Sequence, residues 1–242
     1  MSSAKDIHVA PIASHAARAF VREHHYSGRV VRNSQLHIGA FIGLRLVGVA
    51  QFGPPMSKGN IIGLVRDTAW NNMMELNRLV MVDDTPKNAE SRFLSVCFRL
   101  MRKFAPHVEW VLSYSDATQC GDGTIYRAAG FVLTKINQNS TVLRSPDGKT
   151  VITNISLNTS HKYISPDGRS RSSLAREAGY RPLPGYQLQY IYFLNRAARE
   201  RLTVPVMPFS AIEDFGAGMY LGQRRASAAS TDAEALRALA NA

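Results

Sequence analysis

The segment from Met74 to Phe104 sets an apolar strand directly before a long amphipathic helix, and this succession restricts the fold more than any other feature. Met74 to Val82 reads as a strand whose first half carries Glu75 and Asn77 on one face. Thr85 and Pro86 read as a cap and a first-turn proline, and the helix they open runs to about Phe104. Phe93, Cys97, Leu100 and Phe104 share one face, and Leu94, Phe98 and Met101 widen the stripe. A stripe of that width has to pack against a sheet.

The flanking pattern agrees. Ile7 to Ile12 is a short β-type run, followed by Ser14 as N-cap and a helix from His15 to about His25 with Ala16, Phe20 and Val21 on its apolar side, closed by Gly28. Leu36 to Ile42 and Arg45 to Phe52 form a hairpin joined at Gly43 and Leu44. Val108 to Ser115 is a strand ending in polar residues, Gly123 to Ala129 a short helix with Gly130 at its C′ position, and Phe131 to Ile136 a further strand. Gln187 to Leu194 is a last aromatic-rich strand, and Arg196 to Leu202 a short helix. The expectation is an α/β fold, a central mixed sheet flanked by helices. It forms one catalytic domain over 1–215, with a basic insertion or lid at 137–184 near the C-terminal strands and a disordered, flexible tail over 216–242.

The 242 residues carry a net charge of +11 and a pI near 10.0, with Lys and Arg spread along the chain. Polyanion binding is the leading reading, because each phosphate contact releases condensed counterions. An anionic membrane surface or a phosphorylated cofactor accounts for part of the charge. No run approaches the roughly 18 apolar residues that span a bilayer, and the first residues lack signal-peptide features. A cytosolic protein is expected. Cys97 and Cys120 stand at no metal or redox spacing, and a structural disulfide is not expected.

Several residues carry candidate chemistry. The start of the long helix offers free backbone N–H groups for an anion. His25 suits a general base or an orienting donor and Tyr26 a stacking platform for an extruded base; a pair of histidines near a helix C-terminus is also what the dipole favours. Ser115 and Asp116 end a strand, where Asp116 can fix a histidine tautomer, accept a proton or ligate a metal, or simply begin a turn. Glu75 and Asn77 rank below Asp116. His24, His25, Asp116 and Cys120 carry donors that iron or zinc accepts, at a spacing that matches no standard motif. For DNA, Arg29 and Arg32 flank the loop at the end of the first helix, and Arg169, Arg171, Arg176 and Arg181 alternate with Tyr163 and Tyr180 in the insertion, which also reads as a solvated loop.

The run "IYRAAGF" (Ile125 to Phe131) resembles the signature that closes the cofactor site of the GCN5-related N-acetyltransferases, and the order of elements is similar to theirs. That resemblance implies a site for coenzyme A, with Tyr126 near its sulfur and Lys87, Asn88, Ser91 and Arg92 in the place of the pyrophosphate loop. The family's pattern Q/R-x-x-G-x-G/A is not kept: Lys87 to Ser91 contains no glycine and places Glu90 where phosphate would approach.

Four ordered segments carry a more specific resemblance: "REHHYSG" (Arg22 to Gly28), "ELNRL...DDTPKNAESRFL" (Glu75 to Leu94), "SYSDATQCGDGTIYRAAGF" (Ser113 to Phe131) and the basic insertion. They resemble the Mom proteins of Mu-like phages. The resemblance implies conversion of adenine in double-stranded phage DNA to N6-(carbamoylmethyl)adenine in the host cytoplasm, a modification that shields the DNA from host restriction endonucleases. It implies a catalytic set of His25, Tyr26, Ser115, Asp116 and Tyr126. Acetyl-CoA, another acyl or glycyl donor, and iron all remain open as cofactors. Two alternatives stay open, an acyl-CoA-dependent N-acyltransferase of a small amine or protein and a catalytically inactive DNA-binding protein.

Overall fold

A computed structural model describes residues 3–118, 121–153, 168–220 and 223–224. In chain order its strands and helices are β1 His8–Pro11, α1 Ser14–His24, β2 Leu36–Ile42, β3 Arg45–Gly53, α2 Lys58–Ile61, β4 Met73–Met81, α3 Ala89–Phe104, β5 Trp110–Asp116, α4 Thr124–Ala128, β6 Val132–Gln138, β7 Val142–Arg144, β8 Val151–Thr153, α5 Arg171–Glu177, β9 Arg181–Pro182, β10 Tyr186–Phe193, α6 Arg196–Glu200, α7 Ala211–Asp214, β11 Met219–Tyr220 and β12 Gln223–Arg224. The main sheet has the order β1-β2-β3-β4-β5-β10-β6. It is mixed: β1 to β4 are joined antiparallel, while β4 and β5 run parallel across the α3 connection. The α/β class read from the sequence is the class observed.

The chain divides into two compact units. The first comprises Met1–Ser115, Gly123–Lys135 and Gln189–Phe209. Its core includes a cluster of Ile61, Val65, Met73, Trp110, Leu112, Ile191 and Ala198, and a second of Ala17, Phe20, Val21, Val49 and Val80 beneath α1. α3 buries Phe93, Leu94, Cys97, Phe98 and Met101, each contributing about 1.5–3 kcal/mol. The Phe98 ring stacks on Tyr192 at 4.0 Å and meets Phe131 edge-on at 5.6 Å.

The second unit comprises Asp116–Asp122, Ile136–Leu188 and Ser210–Ala242. The expected insertion is more regular than its composition suggests. β7 pairs antiparallel with both β8 and β9, and Asn139 pins the turn into β7: its Nδ2 donates to the carbonyls of Val142 and Leu183, and its Oδ1 accepts from the N–H groups of Thr141 and Val142. The expected tail begins with a short pairing of β11 and β12. Tyr163, Cys120 and the sequence from 225 onward lie outside the described residues.

Helix starts differ from the sequence reading. Ser14 is the first residue of α1, not its cap; Ala13 holds the N-cap position with no side-chain hydrogen bond, and Ala17 is buried where Ala16 is only partly so. α3 begins at Ala89, because Asn88 takes the left-handed conformation (φ 65°) and breaks the helix from Pro86, while the Thr85 hydroxyl turns back to donate to the Val82 carbonyl. Phe104 is 72% exposed, since the buried face of α3 ends at Met101 and its last turn carries Arg102 and Lys103.

Candidate functional site

The site begins with two irregularities in the sheet. Gln51 pairs with Arg78 but Phe52 with Leu76, so Asn77 is an extra residue on β4, a β-bulge. Gly53 pairs with Glu75. Gln51 and Gly53 share a face of β3, and paired residues share a face, so Glu75 and Arg78 also stand together although three residues apart. The second irregularity is that the recorded β4–β5 pairing stops at Glu75 and Leu112, while β4 continues to Met81 and β5 to Asp116. Past that point the parallel strands offer the kind of crevice at their carboxyl ends where open α/β sheets hold ligands. Two buried polar atoms there, Asn77 Nδ2 and Ser113 Oγ, have no hydrogen-bond partner among the described residues.

The bulge cannot tolerate bulk opposite it. A Cβ on Gly53 would stand 2.5 Å from the Asn33 carbonyl oxygen and 2.8 Å from Asn77 Oδ1. Asn77 Oδ1 accepts from the Ser34 hydroxyl at 3.0 Å, which ties β4 to the turn before β2.

Arg78 organises the side chains around the bulge. Its Nε donates to the Arg29 carbonyl at 2.9 Å and its Nη1 to the Asn77 carbonyl at 2.7 Å. Burial pulls the guanidinium below its ordinary pKa; Tyr26, Glu75 and Tyr126 oppose that, and Arg29 adds to it. Arg78 is thus the meeting point of three segments picked out in the sequence: the Arg22 to Gly28 loop, β4 and the start of α4. The sequence reading missed it, and a lone arginine within the apolar run of β4 was the available signal.

His25 lies just past α1, its own backbone N–H bonding back to the Val21 carbonyl. The Ser27 backbone N–H donates to His25 Nδ1 at 3.2 Å, and the Ser27 hydroxyl lies 2.9 Å from the same atom. Burial, reinforced by Arg78, lowers the ring to a pKa of about 4. The imidazole is therefore neutral near pH 7, with Nδ1 the acceptor and the proton on Nε2. Of the two roles read from the sequence, this geometry suits the orienting donor. The ring packs against Tyr26 with centroids 4.4 Å apart and planes tilted by 30°, and Tyr26 is 57% exposed.

Glu75 is the acid of this cluster. Burial raises its carboxyl pKa; the Asn77 amide, though short of full hydrogen-bond geometry, and Arg78 draw it partly back. Tyr114 follows Leu112 by two residues and so stands on the face of Glu75. Its hydroxyl accepts from Gln189 Nε2 at 3.1 Å, and its pKa is raised by burial and by Glu75.

The remaining sequence candidates fall in several places. Ser115 is buried on β5. Asp116 belongs to the second unit, where its Oδ1 accepts from the Thr118 N–H at 2.9 Å, the turn role weighed for it. Tyr126 on α4 packs against Phe131 and Tyr190, each at 5.2 Å. Its helix starts at Gly123 (φ 76°), where a Cβ would meet the Tyr190 ring at 2.6 Å. Before α3, Lys87 and Asn88 are exposed, the Ser91 hydroxyl donates to the Asn88 carbonyl at 3.2 Å, and the Arg92 Nε is buried without a partner among the described residues. Burial and the neighbouring Asp83 raise the pKa of Glu90 in this turn.

Arg29 and Arg32 are exposed. In the second unit Arg169 forms an ion pair with Glu177, Arg176 donates to the Ser140 carbonyl at 2.9 Å, Arg181 donates to the Arg176 carbonyl at 2.9 Å, and Arg171 opens α5. Among the described residues no three His, Cys, Asp or Glu side chains are grouped to hold a metal ion. No helix among them is long and apolar enough to cross a membrane.

Solved acetyltransferases are distantly similar. The ribosomal-protein-S18-alanine N-acetyltransferase from Escherichia coli has 10% identity and a TM-score of 0.43, covering 78% of this chain and 94% of its own. The IAA acetyltransferase from Bacillus cereus has 10% identity and a TM-score of 0.45, covering 77% and 99%. The sequence is much closer to "Methylcarbamoylase mom" of Escherichia phage Mu, 35% identical over 201 residues that cover 82% of this chain and 80% of the relative. The model of the Mom protein family matches residues 6–211, a span that contains every element from β4 to α6 and both irregularities of the site. The chain belongs to the Mom protein family.

Proposed function

We propose that this protein is a transferase that converts adenine in double-stranded phage DNA to N6-(carbamoylmethyl)adenine, protecting it from host restriction endonucleases. The observation that carries the reading is the cluster around Arg78: an exposed Tyr26 packed against a neutral His25, with the carboxyl of Glu75 on the face of Arg78. The name of the Mu relative, a methylcarbamoylase, supplies the group transferred.

Chemistry on N6 requires the base to leave the duplex stack. Tyr26 offers the extruded adenine a π face. His25 Nε2–H supplies a hydrogen bond to a ring nitrogen. The amine loses a proton when it gains a carbon substituent, and Glu75, with its raised pKa, is the acceptor within the first unit. In the first unit Arg29 and Arg32 hold backbone phosphates; in the second, Arg169, Arg171, Arg176 and Arg181 offer phosphate contacts of their own. Lys87, Asn88, Ser91 and Arg92 would hold the carrier of the carbamoylmethyl group, which departs with the electron pair of the broken carrier–CH2 bond as the N6–CH2 bond forms; acetyl-coenzyme A by itself would supply only an acetyl group.

The test is nucleoside mass spectrometry on plasmid DNA from cells producing the soluble protein. A deoxyadenosine carrying one carbamoylmethyl group supports the reading. Unmodified nucleosides alone, with the protein soluble, overturn it.

A further inference from the structure

Three neighbouring strands carry a polar relay that none of the chemistry above uses. Thr134 on β6 is buried, and its Oγ1 lies 3.1 Å from Gln189 Oε1 on β10. Gln189, also buried, directs its Nε2 to the Tyr114 hydroxyl on β5 at 3.1 Å. The order β5-β10-β6 places the three side by side. The Thr134 hydroxyl also lies 3.3 Å from the Gln189 carbonyl oxygen, and its nearer approach is to Oε1.

The order of donors has a consequence. With the Thr134 hydroxyl donating to Oε1, its nearer acceptor, the Gln189 amide presents Nε2 to Tyr114. An N–H group only donates, so the phenol oxygen accepts and its own proton is directed elsewhere. Among the described residues that proton has no acceptor. Tyr114 stands two residues beyond the last β4–β5 pair, at the crevice, on the face that carries Glu75 and Arg78. Were the amide reversed, Tyr114 would spend its proton on Gln189 and have none for a ligand.

We propose that Tyr114 donates its phenolic hydrogen to the carbonyl oxygen of the carbamoylmethyl group, and that Thr134 and Gln189 hold it in the donor orientation. The identity of that group rests on the DNA-modifying reading above; the orientation of Tyr114 does not. The group transferred contains a carbonyl whatever molecule delivers it. A neutral donor fixed before the ligand arrives orients that carbonyl without introducing a charge beside the Glu75 carboxyl.

The test uses the full chain and a single-stranded oligonucleotide carrying one N6-(carbamoylmethyl)adenine labelled with 13C at the carbonyl. Binding to the unsubstituted protein moves the carbonyl resonance downfield. Tyr114→Phe removes that shift, and Thr134→Val, which frees the amide to turn over, reduces it. A bound carbonyl whose shift is the same with Tyr114→Phe overturns the proposal, as does an oligonucleotide that does not bind. A positioning role also separates rate from affinity: Tyr114→Phe slows adenine modification by roughly tenfold or more with DNA affinity unchanged. The basic limb of the pH–rate profile moves to lower pH when position 114 carries 3-fluorotyrosine, and an unmoved limb counts against the proposal. Unmodified nucleosides with a Tyr114-dependent carbonyl shift would sink the DNA-modifying reading and leave this one standing.

Discussion

The backbone N–H of Ser27 donates to Nδ1 of His25 at 3.2 Å, and this one contact assigns the histidine its tautomer. A ring that accepts at Nδ1 and is held neutral by burial and Arg78 has a pH signature of the opposite sense to that of a histidine in an ion pair. Its folded pKa, about 4, lies below the ordinary 6.5. The unfolded chain therefore takes up the proton first, and folding stability falls as pH drops from 6.5 through about 4. His37, lowered by burial and by Arg18, acts in the same direction. Urea unfolding across this range should show the loss, and His25→Gln should flatten part of it. An unchanged pH slope in that variant would refute the assignment.

Arg78→Lys keeps a positive charge but loses the planar fork that reaches two carbonyls. It should cost roughly 1–3 kcal/mol of stability, the scale of charged hydrogen bonds. It should also abolish adenine modification, because the Arg29 carbonyl contact fixes the loop that bears Tyr26. Thermal unfolding and nucleoside analysis measure the two effects separately.

Gly123→Ala and Gly148→Ala test backbone against packing. Both glycines have positive φ, 76° and 73°, yet a Cβ on Gly148 meets nothing within 4 Å while one on Gly123 strikes the buried Tyr190 ring. Gly148→Ala should cost on the order of 1 kcal/mol, and Gly123→Ala roughly 2–4 kcal/mol. Chemical unfolding of both variants gives the comparison.

Arg29→Ala removes a candidate phosphate contact while leaving the carbonyl that holds Arg78. It and Arg32→Ala should each reduce the salt slope of DNA binding by about 1. Arg176→Ala and Arg181→Ala should lower stability as well as affinity, since both side chains donate to backbone carbonyls. Fluorescence anisotropy at several salt concentrations, with melting curves, distinguishes the two groups.

Local signals were the legible ones. Period-two and helical spacing located Leu36–Ile42 and the body of α3 to within a few residues, because apolar burial dictates both. Tyr26 and His25 were also readable, since one loop carries them together. Arg78 was not: strict alternation along β4 sets Glu75 with Asn77 and sends Arg78 to the opposite face, and only pairing with Gln51 and Phe52 reveals the extra residue. The Thr134, Gln189 and Tyr114 relay was hidden for a related reason. β10 enters the sheet between β5 and β6, and no local pattern encodes that insertion. The strands of the insertion are two or three residues long, too short for periodicity, and depend on Asn139.

The extra residue at Asn77 makes β4 work as a phase shifter. Laid out in strict alternation, the same residues would make a strand of equal apolar content with the acid and the guanidinium on opposite sides. Removing Asn77 would instead leave the two charged residues two apart and still on one side, and would take away the amide oxygen that the Ser34 hydroxyl binds. A one-residue gap at that place in a relative is therefore compatible with the same acid and guanidinium, whereas a chain of full length that paired without the bulge would have parted them even with every named side chain still written in its sequence.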